Sequence, residues 1–266
     1  MSKRIISLLL IVAVLLSMTC LSFADDGDTS QAQQQAEENA EPERAVREDG
    51  LPNIDPYSWE YRLANSYNSI SNYNNDDSKI QMSFCYGLGF DTRIYDNVNS
   101  FIEDTRKAGY PVYLNCGNLS WQYSLCGHYE SMIRLVYGDA YHAALHELGP
   151  GCNDHQTALA FDITTDYAYI GTHYQKDPNA KYTETFAYMA EHCADYGFIV
   201  RYPENKSEYY GVACEGAHFR YVGEEAARYI MDNGLCLEEF LMLYGVSVIV
   251  RTDIADASEE DFNYVK

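Results

Sequence analysis

A glutamate and a histidine stand close together in the segment CEGAHFRYVG, residues 214–223. Glu215 precedes His218 by three residues, and from His218 onward polar and aromatic side chains alternate, as they do along a half-buried strand. This alternation places His218 and Arg220 on one face of the predicted strand. A turn across Gly216 is needed for Glu215 and His218 to point into one cleft.

A second histidine and a second acid lie about sixty residues upstream, in the segment PGCNDHQTALAFDI, residues 150–163. His155 precedes an apolar strand pattern whose polar face carries Asp162. Two imidazoles and a carboxylate are common zinc ligands that leave a fourth position for water, and a further carboxylate can accept the proton of that water. The same residues also fit a structural histidine and a salt-bridged carboxylate, and on spacing alone this simpler interpretation is favoured.

Another histidine pair is a weaker candidate. His142 and His146 are four residues apart on a predicted helix and so share a face. Their segment, HAALHELG, lacks the glutamate of the His-Glu-x-x-His zinc pattern. An ordinary helix surface or core is the preferred interpretation.

The elements that must position these residues follow from periodicity and from helix-stop signals. The predicted helices are 97–108, 124–148 with a break near Gly138, 183–196 and 224–233. The predicted strands are 111–115, 159–163, 198–202, the segment beginning at His218, and a late edge strand at 246–250. The strand signals cluster late in the chain, which predicts an α+β fold with a small antiparallel sheet packed with helices.

Composition restricts the function classes. The chain has 266 residues and a formal net charge of −22, which argues against nucleic acid as a partner. Its 25 tyrosines and 22% charged residues allow residues 51–266 to form one domain with a buried core. We expect this domain to be a monomer.

The N-terminal region has the features of export. Residues 1–24 combine Lys3 and Arg4 with a short apolar run and small residues ending at Ala24, which predicts a secretory signal peptide. A lipid anchor on Cys20 is the alternative, although SMTC is a poor acylation sequence. We therefore expect a secreted or cell-wall-associated protein, with no membrane segment beyond the signal peptide.

Residues 25–50 are acidic, rich in glutamine and alanine, and free of aromatic side chains. Such a segment cannot bury enough apolar surface to offset the entropy of ordering, so we predict a disordered linker, with a short solvated helix as the alternative. Removal of Cys20 would leave seven cysteines, an odd number that permits disulfides without showing their pairing.

Three ordered motifs, HQTALAFDI, YGFIVRYPENK and EGAHFRYVG, resemble those of the VanY-type D-alanyl-D-alanine carboxypeptidases of peptidase family M15. The resemblance covers residues 111–241 and implies a zinc peptidase domain of the hedgehog/D-Ala-D-Ala peptidase type. By this resemblance the Zn²⁺ ligands are His155, Asp162 and His218. Glu215 is then the base that deprotonates the zinc-bound water, and the substrates are peptidoglycan stem peptides that lose a terminal D-alanine.

The sequence departs from the family pattern around the predicted substrate site. Asn153 stands in place of a serine, Ala158 in place of a glycine, and Leu119 in place of an arginine that would contact the substrate. Arg201 and Arg220 are the candidates to replace that cation, so the predicted substrate-binding set is Asn153, Arg201 and Arg220. Loss of a cation beside the developing oxyanion would cost about 3 kcal/mol, or a hundredfold in rate.

Two alternatives to a carboxypeptidase remain open. A weakened wall-binding or sensing module fits the loss of the arginine, whereas retention of Glu215 favours an enzyme. A peptidoglycan endopeptidase of the same fold fits the small residues Gly216 and Ala217, which would widen the cleft.

Overall fold

The computed structural model describes residues 47–70, 82–85, 87–119, 129–170, 177, 179–212 and 217–250. The chain divides into two compact units, Met1–Ala45 and Val46–Lys266, and all described residues belong to the second. The predicted signal peptide, Cys20 and most of the predicted linker lie outside the described residues. Within the described ranges, no helix is both long and apolar enough to cross a membrane.

The fold is α+β, as predicted. The strands are β1 Met82–Cys85, β2 Leu88–Asp91, β3 Tyr113–Cys116, β4 Ala160–Thr164, β5 Phe198–Val200 and β6 His218–Tyr221. The helices are α1 Tyr95–Lys107, α2 Tyr129–Met132, α3 Ala140–His146, α4 Glu184–His192, α5 Ser207–Tyr210, α6 Glu224–Asp232 and α7 Leu237–Leu243. A π-helical turn, Ile133–Tyr137, continues α2 and ends at Gly138, where the sequence predicted a break.

The sheet that carries the candidate site has four antiparallel strands in the order β3-β4-β6-β5. A separate hairpin pairs β1 with β2. The strand pairing of β3 with β4 contains a register irregularity between Leu114 and Cys116, so that Cys116 rather than Asn115 is the partner of Asp162.

One face of the sheet packs against α1 and α4 through an aromatic core. Phe161, Phe198 and Phe219 from the sheet surround Phe101 of α1, and every one of these four side chains is fully buried. Phe101 also stacks on Tyr196 with ring centroids 4.7 Å apart. Because successive strand residues face opposite sides, the residues next to these phenylalanines along each strand point to the other face, where the candidate site lies.

The segment before the hairpin packs against the same domain. A 3₁₀ turn at Trp59–Tyr61 places Trp59 parallel to Tyr221 with ring centroids 6.0 Å apart, and Tyr61 joins a second core cluster beside α6 and α7. Residues 47–50, assigned to the linker, form a turn in which Gly50 N–H bonds to Arg47 O at 2.9 Å. The folded domain therefore includes residues 47–50.

Three expectations about the elements need correction. Residues 246–250 do not form a strand; Val246 N–H instead bonds to Leu241 O, and Val246 and Val248 pack on the second core cluster. The β1–β2 hairpin and α7 were not predicted. The predicted helix 124–148 is helical from Tyr129 to Tyr137 and from Ala140 to His146, so it ends two residues earlier than predicted, and its first residues lie outside the described part of the chain.

Candidate metal centre

Asp162 and His218 lie side by side in the middle of the sheet. They are direct partners across the β4–β6 pairing, and the neighbouring pair Phe161 and Phe219 faces the aromatic core. Alternation along both strands therefore turns the carboxylate and the imidazole to the opposite face. Both are buried there, with 8% and 2% of their surface exposed.

His155 reaches the same point from a 3₁₀ turn, Asp154–Thr157, that leads into β4. Asn153 begins the turn, and its side-chain oxygen accepts a hydrogen bond from His155 N–H at 2.9 Å. The turn ends at Ala158, whose backbone is left-handed with φ 60°. This conformation favours glycine, which gives a physical reason for the glycine that the family pattern has at this position.

The two imidazoles meet at the carboxylate of Asp162, each at a different oxygen. His155 Nε2 lies 3.1 Å from Asp162 Oδ2, and His218 Nδ1 lies 2.9 Å from Asp162 Oδ1. The two imidazole centroids are 4.6 Å apart at an interplanar angle of 62°. The structure thus brings together the three residues that the sequence analysis selected as metal ligands.

The geometry of the nitrogens fits a metal ion. His218 Nδ1 and Nε2 and His155 Nδ1 are buried, yet none makes a hydrogen bond of acceptable geometry with the described residues. Buried polar atoms normally have a hydrogen-bond partner. His218 Nδ1 has none although Asp162 Oδ1 lies 2.9 Å away, so the nitrogen points beside this oxygen rather than at it. Two imidazoles and one carboxylate form a donor set that zinc accepts.

The charges of the three groups depend strongly on one another. Burial raises the pKa of Asp162, but the two imidazoles outweigh it and hold that pKa far below its usual range. Burial lowers the pKa of His155, whereas adjacent Cys116 and Asp162 raise it to about 9. Burial also lowers the pKa of His218, but the charge of Asp162 raises it, and the net shift is upward. Without a metal, imidazolium–carboxylate pairing therefore stabilises the cluster.

A buried carboxylate that the sequence analysis missed stands behind His218. Asp154 Oδ2 lies 3.7 Å from His218 Nε2, the nitrogen that faces away from Asp162. A carboxylate on the far nitrogen of a metal-binding histidine fixes the orientation of the ring. Asp154 is itself fully buried and contacts both Arg220 Nη1 and, at 3.3 Å, Arg201 Nε.

The two arginines complete a buried ionic network. Arg201 makes two hydrogen bonds to Glu238, at 2.9 and 2.7 Å, and Glu238 also accepts one from Asn65 at 2.7 Å. Arg220 Nη2 donates to the backbone oxygens of Glu60 at 2.9 Å and Arg62 at 2.8 Å. The segment before the hairpin therefore satisfies charges that lie behind the candidate metal centre.

This network corrects the predicted substrate-binding set. Arg201 and Arg220 are both fully buried, and their guanidinium groups are held by carboxylates and backbone oxygens inside the protein. Neither group is available to a substrate in this structure, and we assign both to the support of Asp154. Asn153 is half-buried beside the cluster, and its substrate contact stays a prediction.

The remaining predicted residues are placed as follows. Glu215 lies outside the described residues. Ala217 O accepts a hydrogen bond from Ile163 N–H at 3.1 Å, which places Ala217 alongside β4. Leu119 is buried with 6% exposure, and its N–H bonds to His155 O at 3.3 Å. The residue in the position of the family arginine is therefore next to the cluster and carries no charge.

The alternative histidine pair makes contacts unrelated to this cluster. His142 Nδ1 lies 2.7 Å from Asp139 Oδ2 at the beginning of α3, and His146 stacks on Tyr137 with centroids 5.0 Å apart. These contacts agree with the interpretation of the pair as ordinary helix residues.

An antiparallel sheet with a buried His, Asp, His cluster on the face opposite its core is an arrangement suited to a zinc hydrolase, and comparisons with known proteins agree. The sequence model of the family described as VanY, D-alanyl-D-alanine carboxypeptidase, matches residues 88–224. The match covers more than half of the chain. The chain belongs to this family.

Individual relatives show the same similarity over shorter segments. A D-alanyl-D-alanine carboxypeptidase of Enterococcus faecalis is 44% identical over 92 residues, which are 35% of this chain and 31% of that protein. The protein YodJ of Bacillus subtilis is 39% identical over 93 residues, covering 34% and 32% of the two chains. The matched segment thus spans about a third of the length of these curated relatives.

Solved structures resemble the fold over a larger share of the chain. A variant of the D,D-pentapeptidase VanY from a VanB-type resistance cassette, in complex with Zn(II), has a TM-score of 0.56 and 28% identity, covering 69% of this chain and 99% of that one. The LD-carboxypeptidase LdcB has a TM-score of 0.57 and 27% identity, covering 74% and 92%. These structures confirm the predicted architecture.

Proposed function

We propose that this chain is an exported zinc carboxypeptidase that removes the terminal D-alanine from peptidoglycan stem peptides. The observation that carries the proposal is the contact of both imidazoles, His155 and His218, with the buried carboxylate of Asp162. The zinc complex of the VanY relative and the D-Ala-D-Ala complex of another VanY structure support the choice of metal and of substrate class.

The roles of the residues follow from their chemistry. A bound zinc ion would polarise the scissile carbonyl and acidify the attacking water. His155 and His218 would bind it as neutral imidazoles and Asp162 as a carboxylate, while Asp154 orients the His218 ring from behind. Glu215 would accept the proton of the water and deliver it to the departing amine of D-alanine.

Leu119 favours a second candidate, a wall-binding or sensing module with little catalysis. This buried apolar side chain adjoins His155 at the position of a family arginine, so the cation that would stabilise the developing negative charge is missing there. The described residues show no replacement, because Arg201 and Arg220 are held in the buried network.

One experiment separates these functions. Full-length protein loaded with zinc is incubated with a pentapeptide ending in D-Ala-D-Ala, and released D-alanine is measured. We expect release by the wild type, a loss of at least about a hundredfold in kcat for Glu215→Gln with zinc content unchanged, and no effect of Glu204→Gln at an exposed loop position.

One outcome would overturn the proposed function, and another would overturn only the role of Glu215. Stoichiometric zinc without cleavage by the wild type would support the binding module. Cleavage that persists in Glu215→Gln would show that the general base is another residue.

A further inference from the structure

Cys116 occupies the same row of the sheet as two of the proposed zinc ligands. Cys116 pairs with Asp162 across β3 and β4, and Asp162 pairs with His218 across β4 and β6. Directly paired residues of neighbouring strands point to the same side of a sheet. The thiol therefore lies on the face that carries the metal centre.

A β-bulge produces this orientation. Leu114 pairs with Ile163 and faces the aromatic core, so regular alternation would bring Asn115 opposite Asp162 and leave Cys116 on the core side. The register irregularity between Leu114 and Cys116 removes this alternation and places Cys116 opposite the carboxylate. Bulges frequently redirect a side chain toward a functional site in this way.

The segment after Cys116 is held firmly. A Cβ atom added to Gly117 would lie 3.0 Å from Gly89 O and 3.0 Å from Leu88 Cβ, so a larger residue would fit only if β2 shifted by a few tenths of an ångström. Asn118 donates to His155 O at 3.0 Å through its side chain. These contacts fix the distance between Cys116 and the turn that carries His155.

The donor atoms are close enough to share one ion. Cys116 Sγ, one His155 nitrogen and one Asp162 oxygen all lie within 4.8 Å of one another, and among the described residues they form a group that could hold a metal. Donors that bind one tetrahedral zinc ion at about 2.0–2.3 Å are about 3.3–3.8 Å apart. From separations of no more than 4.8 Å, the donors would have to approach one another by at most about 1.5 Å to bind one ion.

This group overlaps with the set His155, Asp162 and His218 and shares two members with it. His218 contacts the oxygen of Asp162 opposite to the one that His155 contacts. Zinc accepts four protein donors, and a thiolate is among its preferred ligands. Cys116 is buried with 3% exposure and is a free thiol in the structure.

We propose that Cys116 is a fourth protein ligand of the metal in the resting protein, an inference that rests on the proposed zinc function. On binding, the Sγ–H proton is released to solvent and the sulfur donates a lone pair to the ion. The thiolate then takes the coordination position that a catalytic zinc site leaves open. Turnover requires substrate or water to displace Cys116 or to add beside it.

The test uses metal-free full-length protein loaded with Co²⁺ under reducing conditions. We expect one bound Co²⁺ per chain and a sulfur-to-cobalt charge-transfer band in the near ultraviolet. Cys116→Ser should lose this band but keep the metal. Its affinity for zinc should fall at least about tenfold, because even loss of a residue that only hydrogen-bonds a metal ligand weakens binding by that much. Cys193→Ala, which removes a free and fully buried thiol in the aromatic core, should keep the band.

A measurement on the wild type guards against misfolding of the variant. Zinc K-edge absorption should show one sulfur neighbour at about 2.3 Å. One metal per chain with neither the cobalt band nor the sulfur neighbour would overturn the role of Cys116 and leave the zinc peptidase intact. Absence of stoichiometric metal, or metal binding unaffected by His155→Ala, would instead overturn the proposed function.

Discussion

Replacement of Asp154 by asparagine tests whether the buried network supports the fold. The carboxylate is fully buried between Arg201 and Arg220, whose charges outweigh burial and hold its pKa far below the usual range. Removing one partner of a buried ion pair costs about 3–5 kcal/mol, because the other charge stays buried and unpaired. Arg201 would keep Glu238, but Arg220 would keep only backbone oxygens. We therefore expect a loss of about 3 kcal/mol for Asp154→Asn.

Thermal and urea unfolding measure this loss. For a domain of this size, 1 kcal/mol corresponds to about 2–4 °C in Tm, so the expected shift is about 6–12 °C. Asp195→Asn is the matched control, since Asp195 pairs with Arg228 at 2.8 Å but has 51% of its side chain exposed. An exposed pair contributes less than about 1 kcal/mol. Equal losses for the two variants would refute the reasoning.

The difference in the free energy of unfolding between wild type and Asp154→Asn should depend on pH. The pKa of Asp154 is depressed in the folded protein. Its contribution to the free energy of unfolding is therefore complete above the unfolded pKa of about 4 and is lost as the pH falls toward the folded pKa. The stability difference between wild type and Asp154→Asn should be constant near neutral pH and narrow below about pH 4. A difference that widens in acid would contradict the sign of the shift.

Further predictions concern the metal, the substrate and the core. Because the pKa of His155 is raised to about 9 without metal, zinc binding between pH 6 and 8 should release protons, and affinity should rise about tenfold per pH unit for each proton released. Calorimetry in buffers of different ionisation enthalpy measures this release, and its absence would contradict the imidazolium–carboxylate pairing. Leu119→Arg should raise kcat/KM toward D-Ala-D-Ala peptides by up to about a hundredfold if a cation belongs there, whereas Leu119→Met should not; an unchanged value in a folded Leu119→Arg protein would reject the assignment of that position. Phe101→Ala should lower the free energy of unfolding by about 3–5 kcal/mol in urea, because this ring contacts four buried or half-buried aromatic rings. Tyr167→Ala, at a side chain 77% exposed, should change it by less than about 0.5 kcal/mol, and similar losses for the two would contradict the position of the core.

The sequence could place His155, Asp162 and His218 in one candidate site because the signals are local. Alternation in LAFDI and HFRY set the faces of Asp162 and His218, and family motifs of fixed spacing selected His155 as the third member. Asp154 was missed because its role depends on partners far away in the chain. Arg220 is 66 residues from it, and no local pattern shows that the turn before β4 and strand β6 bring these charges together.

The errors have similar physical causes. The sequence does not show whether an arginine is buried or exposed, so Arg201 and Arg220 were predicted to bind the substrate. The β-branched run at 246–250 has strand propensity but packs as irregular chain on the second core cluster, and such tertiary contacts override propensity. Helix α7 has only seven residues and begins at an unusual N-cap, Cys236, so its signal was weak.

The backbone oxygens of Glu60 and Arg62 bear on how this protein should be truncated. Sequence similarity to the family begins at residue 88, yet two of the acceptors that satisfy Arg220, and the amide of Asn65 that binds Glu238, come from upstream. A fragment that begins at residue 88 would retain every proposed ligand but would lack these hydrogen-bond partners of the buried ion pairs. The segment needed for a stable fold is therefore longer than the segment that the family model matches, and a truncated protein should begin before residue 47.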